Sequence, residues 1–333
     1  MEQLIDDLIT GREVATERLK NCLTEFCEGN SPPEQLAALL AVMRCRGETA
    51  EQLAAFAQAL MAKANCIAVG DDVVDHSGTG GDHSGSFNIS TTAALLTAAC
   101  GVPVAKHGNR SVTSKSGSAD VLEALGVDVN MPPERAQTCL EESGFVFLYA
   151  PVYHPAFKYI APIRKALKIK TIFNILGPLL NPAKVKRQVI GVYDRHLMTV
   201  IAEAALQLNN LRVMVVSSTD GLDEISMAAP TNAKMVEDGG VRDMLIDPLD
   251  YGFAYCDLQQ LKGGDAQDNA AILKAVLAGE IGPRADCVVL NSAASLYVGG
   301  KVGNLADGVE LARSVQQSGK AIDLLNRVIA FGG

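Results

Sequence analysis

The chain has 333 residues, of which 48% are hydrophobic and 20% are charged, so it can form one large domain or two unequal ones around a sizeable core. Aspartate and glutamate number 38 against 29 lysines and arginines, which gives a formal net charge of −9. This balance argues against broad, sequence-independent binding of nucleic acid, because such binding depends on surplus cations that neutralise phosphates.

The distribution of apolar residues, cysteines and histidines excludes further classes. No apolar run reaches the roughly 18 residues of a spanning helix, and acids stand at the N-terminus where a secretory signal has basic residues, so we expect a cytoplasmic protein and no membrane span. The eight cysteines include no C-x-x-C pair, and the five histidines include no H-E-x-x-H motif. A metal would therefore need oxygen ligands, which favours magnesium over zinc.

The first 65 residues predict short amphipathic helices. Ser31 and Glu34 match a capping box ahead of an apolar stripe that ends at Gly47, and the segment from Thr49 to Gln52 starts the next helix. Each helix has one apolar stripe, so these helices must pack on one another or on a second subunit.

After Gly70, short β-branched runs alternate with glycine-rich turns and helices, which predicts an α/β domain with a central sheet flanked by helices. The predicted strands cover residues 73–74, 102–105, 145–148, 189–193 and 213–217, and the predicted helices cover residues 91–100, 119–125 and 196–208. Residues 155–180 are helical without a good strand and are expected to return to the N-terminal helices. The predicted organisation is a small all-helical domain, residues 1–69 joined by helices from about 155–182, and a larger α/β domain made of residues 70–154 and 183–333.

A glycine-rich segment follows the first predicted strand. Gly78, Gly80 and Gly81 let the backbone turn sharply and direct N–H groups at an anion, and the helix opened by Asn88 adds its positive end. The segment is neither a P-loop nor a dinucleotide fingerprint, because it lacks G-x-x-x-x-G-K-[ST] and has His83 in place of the third glycine. An ordinary glycine-rich turn is the alternative, and the Asn-x-Ser-Thr run behind it favours a phosphate-binding loop.

A basic segment, residues 106–118, contains three lysines or arginines and five serines or threonines, with no acid before Asp120. In an acidic chain this local reversal predicts a loop over a polyanion, where hydroxyls and amides bind phosphate oxygens and Lys106 neutralises them. A solvated basic loop is the alternative, and Ser118 also fits a helix cap.

Two acids, Asp223 and Glu224, lie in a tight turn after the strand predicted at residues 213–217. Carboxylates at the carboxyl end of a strand can hold Mg²⁺ against a polyphosphate, although an isolated Asp-Glu pair is ordinarily a solvated turn. Exposed in such a turn, the two acids are expected to contribute little to stability. As the counterpart of two phosphate-binding loops, they are the best-placed magnesium ligands in the chain.

Arg164 occurs in an apolar helical context, where a buried guanidinium requires an anionic partner. That partner is either an internal acid or a substrate carboxylate, and nothing in the local sequence decides between them. His154 precedes a proline and is expected to cap this helix rather than to act in catalysis.

Taken together, these motifs resemble the anthranilate phosphoribosyltransferase family over nearly the whole chain. The most specific matches are Gly-Thr-Gly-Gly-Asp at 78–82, Asn-x-Ser-Thr at 88–91, Lys-His-Gly-Asn-Arg-Ser at 106–111, residues 116–126, Phe-Asn-x-Leu-Gly-Pro-Leu at 173–179, and Asp-Glu at 223–224. The resemblance implies transfer of the phosphoribosyl group of phosphoribosyl pyrophosphate to anthranilate, a step of tryptophan biosynthesis, in a cleft between the two domains. It also implies Mg²⁺, with two ions per site, and a homodimer formed through the helical domain.

The same resemblance implies roles for individual residues. Those that would hold magnesium are Ser90, Asp223 and Glu224. Those that would hold anthranilate are Gly78, Asn109 and Arg164. Those that would hold phosphoribosyl pyrophosphate are Gly78, Gly81, Asp82, Ser86, Asn88, Ile89, Ser90, Thr91, Lys106, His107, Gly108, Asn109, Arg110, Ser111, Val112, Thr113, Ser114 and Ser118.

The implied reaction requires no catalytic acid or base. An aromatic amine is already neutral at pH 7, so positioning should dominate, with Lys106 stabilising the leaving group. This chain departs from the family in small ways: Thr113 stands where serine is usual, which keeps the hydroxyl, and Phe157 falls where members vary.

Two other classes are alternatives. Pyrimidine nucleoside phosphorylases resemble this family in fold, but their loop reads Lys-His-Ser-x-Gly-Gly-Val-Gly-Asp, whereas Asp75 replaces the lysine here and Gly81 leads directly into Asp82. A phosphorolysis without metal also has no use for the Asp-Glu pair. A non-enzymatic paralogue that binds nucleic acid would have a basic surface and decayed donor motifs, whereas this chain is acidic and its motifs are intact.

Overall fold

The structure is a computed structural model that describes residues 1–111 and 115–332. The helices in these residues are α1 (Glu2–Ile9), α2 (Thr16–Cys27), α3 (Pro33–Arg46), α4 (Ala50–Met61), α5 (Ile89–Ala99), α6 (Ser118–Ala124), α7 (Pro133–Ser143), α8 (Ala150–Tyr153), α9 (Phe157–Leu167), α10 (Leu197–Gln207), α11 (Ala266–Leu277), α12 (Pro283–Val298), α13 (Leu305–Gln317) and α14 (Lys320–Gly332). The strands are β1 (Val74–Gly78), β2 (Val104–Gly108), β3 (Phe145–Tyr149), β4 (Arg187–Gly191), β5 (Arg212–Ser218), β6 (Thr231–Glu237) and β7 (Gly240–Ile246). The predicted strands and helices are all found, with ends moved by a few residues.

The N-terminal helices begin and end where local chemistry allows. The Thr49 side chain accepts a hydrogen bond from the backbone N–H of Gln52, which caps α4, and Gly47 with φ +85° ends α3. The capping box predicted at Ser31 is wrong. Pro32 is the N-cap of α3 and Pro33 is its first residue, so Ser31 lies one position too early to accept the free N–H groups of the first turn.

The segment expected to return to these helices does contact them. Helix α9 packs against α2 and α3, and Ile160 shares a hydrophobic core with Leu23 and Leu39. The same core continues through α10 to one face of the sheet, where Val215 is fully buried. The division into residues 1–69 with about 155–182, and 70–154 with 183–333, stays a prediction.

The sheet has seven strands in the order β3-β2-β1-β4-β5-β6-β7. Strands β1 to β5 are parallel, and β6 and β7 continue the sheet as an antiparallel pair. Helix α10 packs on one face, and α5 and α12 pack on the other. Because the strand order reverses between β1 and β4, loops at their carboxyl ends diverge and leave a crevice there, which is where open α/β sheets bind ligands.

The sequence patterns do not predict strands β6 and β7. They form a hairpin whose two-residue turn, Asp238 and Gly239, has positive φ at both positions (+51° and +74°). Asp-Gly is a recognised signal for this turn, but β7 is a mostly exposed edge strand, and Arg242 and Asp243 interrupt its apolar residues, so it does not show the continuous hydrophobic run of the buried strands.

Two glycines shape the crevice. Gly78 at the end of β1 pairs with Gly191 at the end of β4. A Cβ on Gly191 would overlap the backbone carbonyl oxygen of Asp223, and a Cβ on Gly78 would lie 2.8 Å from Asp223 Oδ2. The turn after β5 therefore crosses these strand ends only because both positions lack a side chain.

We predict that Gly191→Ala lowers the free energy of unfolding by about 1–3 kcal/mol, because the added methyl group must displace backbone and not a flexible side chain. Gly303→Ala is the matched control, since nothing lies within 4 Å of a Cβ there. Urea unfolding of the two variants measures the difference. Equal stabilities of both variants would contradict the close packing of Asp223 on Gly191.

Candidate active site

The three predicted phosphate and metal motifs meet at the carboxyl ends of the parallel strands. The backbone N–H of Gly80, in the loop after β1, donates to Asp223 Oδ2 over 2.8 Å. The N–H of Ser90, in the first turn of α5, donates to Glu224 Oε1 over 3.1 Å. Asn88 Nδ2 donates to the carbonyl oxygen of Ser116 in the basic segment over 3.2 Å. The glycine loop, the basic segment and the carboxylate pair therefore form one site.

The expectation that Asp223 and Glu224 lie exposed in a solvated turn is wrong. Only 9% of Asp223 and 7% of Glu224 are exposed, because the turn packs directly against Gly78 and Gly191 at the strand ends. Burial, followed by the nearby carboxylates of Asp82 and Glu224, raises the pKa of Asp223 well above its ordinary value, while the N–H of Gly80 acts in the opposite direction. Three acids thus share a site in which each raises the energy of the others' charged form.

The donor atoms of this acidic group fit magnesium bound together with a phosphate ligand. Asp82 Oδ2 is buried and accepts no hydrogen bond from the described residues. Within residues 1–111 and 115–332 no three histidine, cysteine or acidic side chains form a complete metal cage. Magnesium is ordinarily held by one or two carboxylates with substrate oxygens completing its shell, and Asp223 and Glu224 offer two carboxylates for such a site.

The glycine loop leads into a helix that is tied to other parts of the site. Gly80 and Gly81 have φ of +67° and +84°, the left-handed conformation that glycine tolerates best. Asn88 precedes α5, and its Oδ1 accepts a hydrogen bond from Asn269 over 2.9 Å. Of the helix residues predicted to bind the donor, Ile89 and Thr91 are each only 1% exposed. Both residues are buried, and the Ile89 N–H already donates to the carbonyl oxygen of Phe87 over 2.7 Å.

Lys106 is in the middle of β2 and is buried, with 2% of its surface exposed. Its Nζ donates to the backbone carbonyl of His76 on the neighbouring strand. Burial lowers the pKa of Lys106, and the carboxylates of Asp75, Glu224 and Asp223 act in the opposite direction. The cation therefore lies beneath the acidic group, where it offsets part of that group's charge.

Arg110 binds acids within the chain. Its guanidinium makes two hydrogen bonds to Glu123, of 2.7 and 3.0 Å, and one of 3.1 Å to Asp120. Asp120 Oδ2 also accepts from the N–H groups of Ser111 and Gly117, over 3.0 and 2.8 Å. These contacts tie the two ends of the basic segment to α6, while the predictions for Val112, Thr113 and Ser114 lie outside the described residues.

The remaining predicted residues flank these groups. Ser118 Oγ donates to the carbonyl oxygen of Asn109 over 3.3 Å, and the expected place of Ser118 as a helix cap is taken by Gly117, since α6 begins at Ser118 itself. Gly108 packs so closely that a Cβ would overlap the Ser118 hydroxyl. Ser86, ahead of α5, forms an isolated bridge with Lys262.

Two buried histidines lie close together, His107 in the basic segment and His154 ahead of α9. His107 Nδ1 donates to the carbonyl oxygen of Gly177 over 3.2 Å, and His154 Nε2 donates to that of Leu180 over 2.8 Å. Burial lowers the pKa of His107 to about 3 and that of His154 to about 4, so both are neutral at pH 7. The expectation that His154 caps α9 is wrong. The N-cap of α9 is Ala156, and the His154 ring is hydrogen-bonded to the Leu180 carbonyl oxygen instead.

Arg164 stands at the end of a row of aromatic rings. The ring centres of His107 and His154 are 5.2 Å apart, those of His154 and Phe157 are 5.7 Å apart, and the Arg164 guanidinium lies 5.9 Å from the centre of the Phe173 ring. No acid in residues 1–111 and 115–332 forms an ion pair with Arg164, although it is largely buried and burial lowers its pKa. Of the two partners left open by the sequence, this part of the chain thus offers no internal acid.

Three residues of the site have no sequence signal. His76 lies with Nε2 3.3 Å from Glu224 Oε2, and Asn269 binds Asn88. The Lys170 amine lies 3.6 Å from the centre of the Tyr193 ring, beside the glycine loop. Asn269 and Lys170 come from distant parts of the chain, and the partner of His76, Glu224, is distant from it in the sequence, so no local pattern identifies these contacts.

Family models divide the chain into two parts of a glycosyltransferase. Residues 2–64 match the helical bundle domain of a glycosyl transferase family, and residues 70–322 match its a/b domain. The anthranilate phosphoribosyltransferase of Thermoanaerobacter sp. (strain X514) is 44% identical over 332 residues, 99% of this chain and 98% of that protein. The chain belongs to the anthranilate phosphoribosyltransferase family.

Solved structures agree with this assignment. Anthranilate phosphoribosyltransferase from Thermus thermophilus superposes with a TM-score of 0.92 at 41% identity, covering 98% of each chain. The enzyme from Saccharomyces cerevisiae, solved in complex with PRPP and Mg, superposes with a TM-score of 0.90 at 26% identity, covering 99% of this chain and 96% of that one. None of the helices in the described part of the chain is both long and apolar enough for a membrane span.

We predict that His154 makes the protein less stable at acid pH. The unfolded chain takes up a proton near pH 6.5 and the folded chain only near 4, so stability falls as pH drops through this window, by roughly 3 kcal/mol in all. His154→Gln keeps a donor for Leu180 and should flatten the curve of unfolding free energy against pH between 6.5 and 4. The exposed His196→Gln is the control, and identical curves for His154→Gln and the native protein would contradict the buried neutral state.

Proposed function

We propose that the protein is a magnesium-dependent anthranilate phosphoribosyltransferase of tryptophan biosynthesis. It transfers the 5-phosphoribosyl group of phosphoribosyl pyrophosphate to the amine of anthranilate and releases pyrophosphate. The observation that carries the proposal is the joining of Asp223 and Glu224 to the glycine loop and to α5 through Gly80 and Ser90. A glycine loop, a helix N-terminus and paired carboxylates together suit a diphosphate with bound magnesium.

In this proposal the donor lies across the glycine loop and the N-terminus of α5. Backbone N–H groups at Gly81 and Thr91 bind phosphate oxygens, and Asp223 and Glu224 hold the metal, with two ions per site. Bound magnesium supplies positive charge that stabilises the departing pyrophosphate. Lys106 adds a fixed cation beneath the carboxylates, which lowers the energy of the same anion.

The acceptor in this proposal is an aromatic acid lying along the row of rings that ends at Arg164. The planar guanidinium matches a carboxylate, and its lack of an ion pair among the described residues leaves it available. Gly78 and Asn109 complete the contacts to anthranilate. An arylamine is neutral at pH 7 and attacks without a general base, so the residues act by orienting it toward the ribosyl carbon that loses pyrophosphate. The buried neutral histidines support this view, because neither is poised to exchange a proton at pH 7.

The cellular location and the oligomeric state complete the proposal. The protein works in the cytoplasm as a homodimer joined through the helical domain, where Ile9 is 62% exposed at the end of α1. Sedimentation of the intact protein tests the dimer, which must have twice the chain mass of 35.1 kDa.

The direct test mixes the protein with anthranilate, phosphoribosyl pyrophosphate and Mg²⁺ and follows the loss of anthranilate fluorescence. We predict that Asp223→Asn with Glu224→Gln lowers turnover at limiting Mg²⁺ by about 100-fold or more, since both metal ligands lose their charge. The double variant should stay folded, because the amides also remove repulsion between buried carboxylates. Asp238→Asn, in the exposed hairpin turn, is the control. Full activity of the folded double variant at limiting Mg²⁺ would refute the metal assignment.

We predict that Arg164→Ala raises the KM for anthranilate and leaves that for phosphoribosyl pyrophosphate nearly unchanged. Loss of a charge-assisted pair in a partly desolvated site costs about 2–4 kcal/mol, which is about 30- to 1,000-fold. Part of the loss can fall on kcat, because a tilted acceptor presents its amine badly.

The neighbouring Lys165→Ala, which removes an exposed cation from the same helix, is the matched control for Arg164→Ala. Both KM values and the melting temperature are measured for each variant. A large fall in melting temperature with equal losses for both substrates would make Arg164 a structural residue.

A further inference from the structure

His76 lies beside the carboxylate pair, just ahead of the glycine loop, and has none of the roles that the resemblance implies. It is on β1, two residues before Gly78, and only 1% of its surface is exposed. Its ring lies between two partners from distant segments: Nδ1 is 2.9 Å from Ser295 Oγ on α12, and Nε2 is 3.3 Å from Glu224 Oε2. Because α12 is packed along the sheet and Ser295 is 1% exposed, the ring is held from behind by a fixed helix.

The chemistry of the partners fixes which nitrogen faces Glu224 as a donor. A carboxylate oxygen can only accept, so the favourable state has the hydrogen on Nε2, whether or not Nδ1 is also protonated. The Ser295 hydroxyl can donate to Nδ1 or accept from it, so it holds the ring in either state. The contact to Glu224 is not a formed hydrogen bond, and Nε2 has no hydrogen-bond partner among the described residues. A buried N–H without a partner favours a rotation of the Glu224 side chain that forms the hydrogen bond.

Both carboxylate oxygens of Glu224 therefore have a neighbour that can donate a hydrogen bond. Oε1 accepts from the N–H of Ser90, and Oε2 faces His76. A formed bond to Oε1 and a buried nitrogen next to Oε2 restrict the orientation of the carboxylate and leave its remaining lone pairs for a cation. The backbone of the same histidine also receives Lys106, whose Nζ donates to the His76 carbonyl.

We propose that His76, supported by Ser295, is a positioning residue that holds Glu224 in the orientation in which it binds magnesium. The inference depends on the proposed function, because it takes Glu224 to be a metal ligand. Hydrogen-bond partners of metal-binding carboxylates commonly change metal affinity by 10- to 100-fold when they are removed. His76 should therefore affect magnesium binding and not anthranilate binding, since its ring contacts Ser295 and Glu224 and makes no contact with the row of rings.

The test measures Mg²⁺ affinity by calorimetry in the presence of phosphoribosyl pyrophosphate, together with melting temperature and both substrate KM values. His76→Phe keeps a ring but removes both nitrogens, and we expect about 10- to 100-fold weaker Mg²⁺ binding with an unchanged KM for anthranilate. His76→Gln retains an N–H that can reach Glu224 and should restore most of the affinity. Ser295→Ala removes the hydrogen-bond partner of His76 Nδ1 and should give a smaller loss of Mg²⁺ affinity. His196→Phe, at an exposed histidine, is the control.

The outcomes separate the inference from the proposed function. If the native protein binds Mg²⁺ with the donor and His76→Phe binds it equally well, His76 has no positioning role. Equal losses in the Phe and Gln variants, in step with melting temperature, would make the residue merely structural and also overturn the inference. If His76→Phe does not fold, Ser295→Ala decides, and unchanged Mg²⁺ affinity in that variant counts against the inference. Failure of the native protein to bind Mg²⁺ would refute the metal assignment itself.

Discussion

A buried carboxylate at the end of a β-sheet needs space and hydrogen-bond donors, and in this chain glycines supply both. Gly78 and Gly191 leave room for the turn that contains Asp223, and the N–H of Gly80 binds the Asp223 side chain. The position of this turn then determines where Glu224 lies relative to α5. A side chain at either strand end would push the acids out into solvent, away from the glycine loop.

This arrangement places like charges together in a poorly solvated crevice. The pKa of Asp223 is raised first by burial and then by Asp82 and Glu224, so the acidic group is less stable as charged species than the same acids in water. Lys106 offsets part of this repulsion from beneath. Positive charge that enters the site relieves this repulsion, so the acidic group favours the binding of a cation.

Much of this site could be predicted from the sequence because its parts are local. The glycine loop, the basic segment and the acid pair each follow a hydrophobic strand, and parallel strands bring their carboxyl ends to one edge. The family was also recognisable from these motifs and is confirmed by the comparisons.

What the sequence could not supply are properties that depend on distant contacts. The burial of Asp223 depends on Gly191, the pairing of Arg110 depends on Glu123 across the basic segment, and the contact of His76 with Glu224 joins β1 to the turn after β5. Strand β7 is not predicted for a different reason: it is mostly exposed at the edge of the sheet, and Arg242 and Asp243 divide its apolar residues.

The central claim is that the buried carboxylates are prepared for a metal that binds together with a phosphorylated ligand. Calorimetric titration of the protein with Mg²⁺, with and without phosphoribosyl pyrophosphate, tests this most directly. We expect weak Mg²⁺ binding to the protein alone and much tighter binding in the presence of the donor, with the donor's affinity raised by Mg²⁺ by the same factor, as linkage requires. Tight Mg²⁺ binding without the donor, or donor binding that is indifferent to Mg²⁺, would contradict the account.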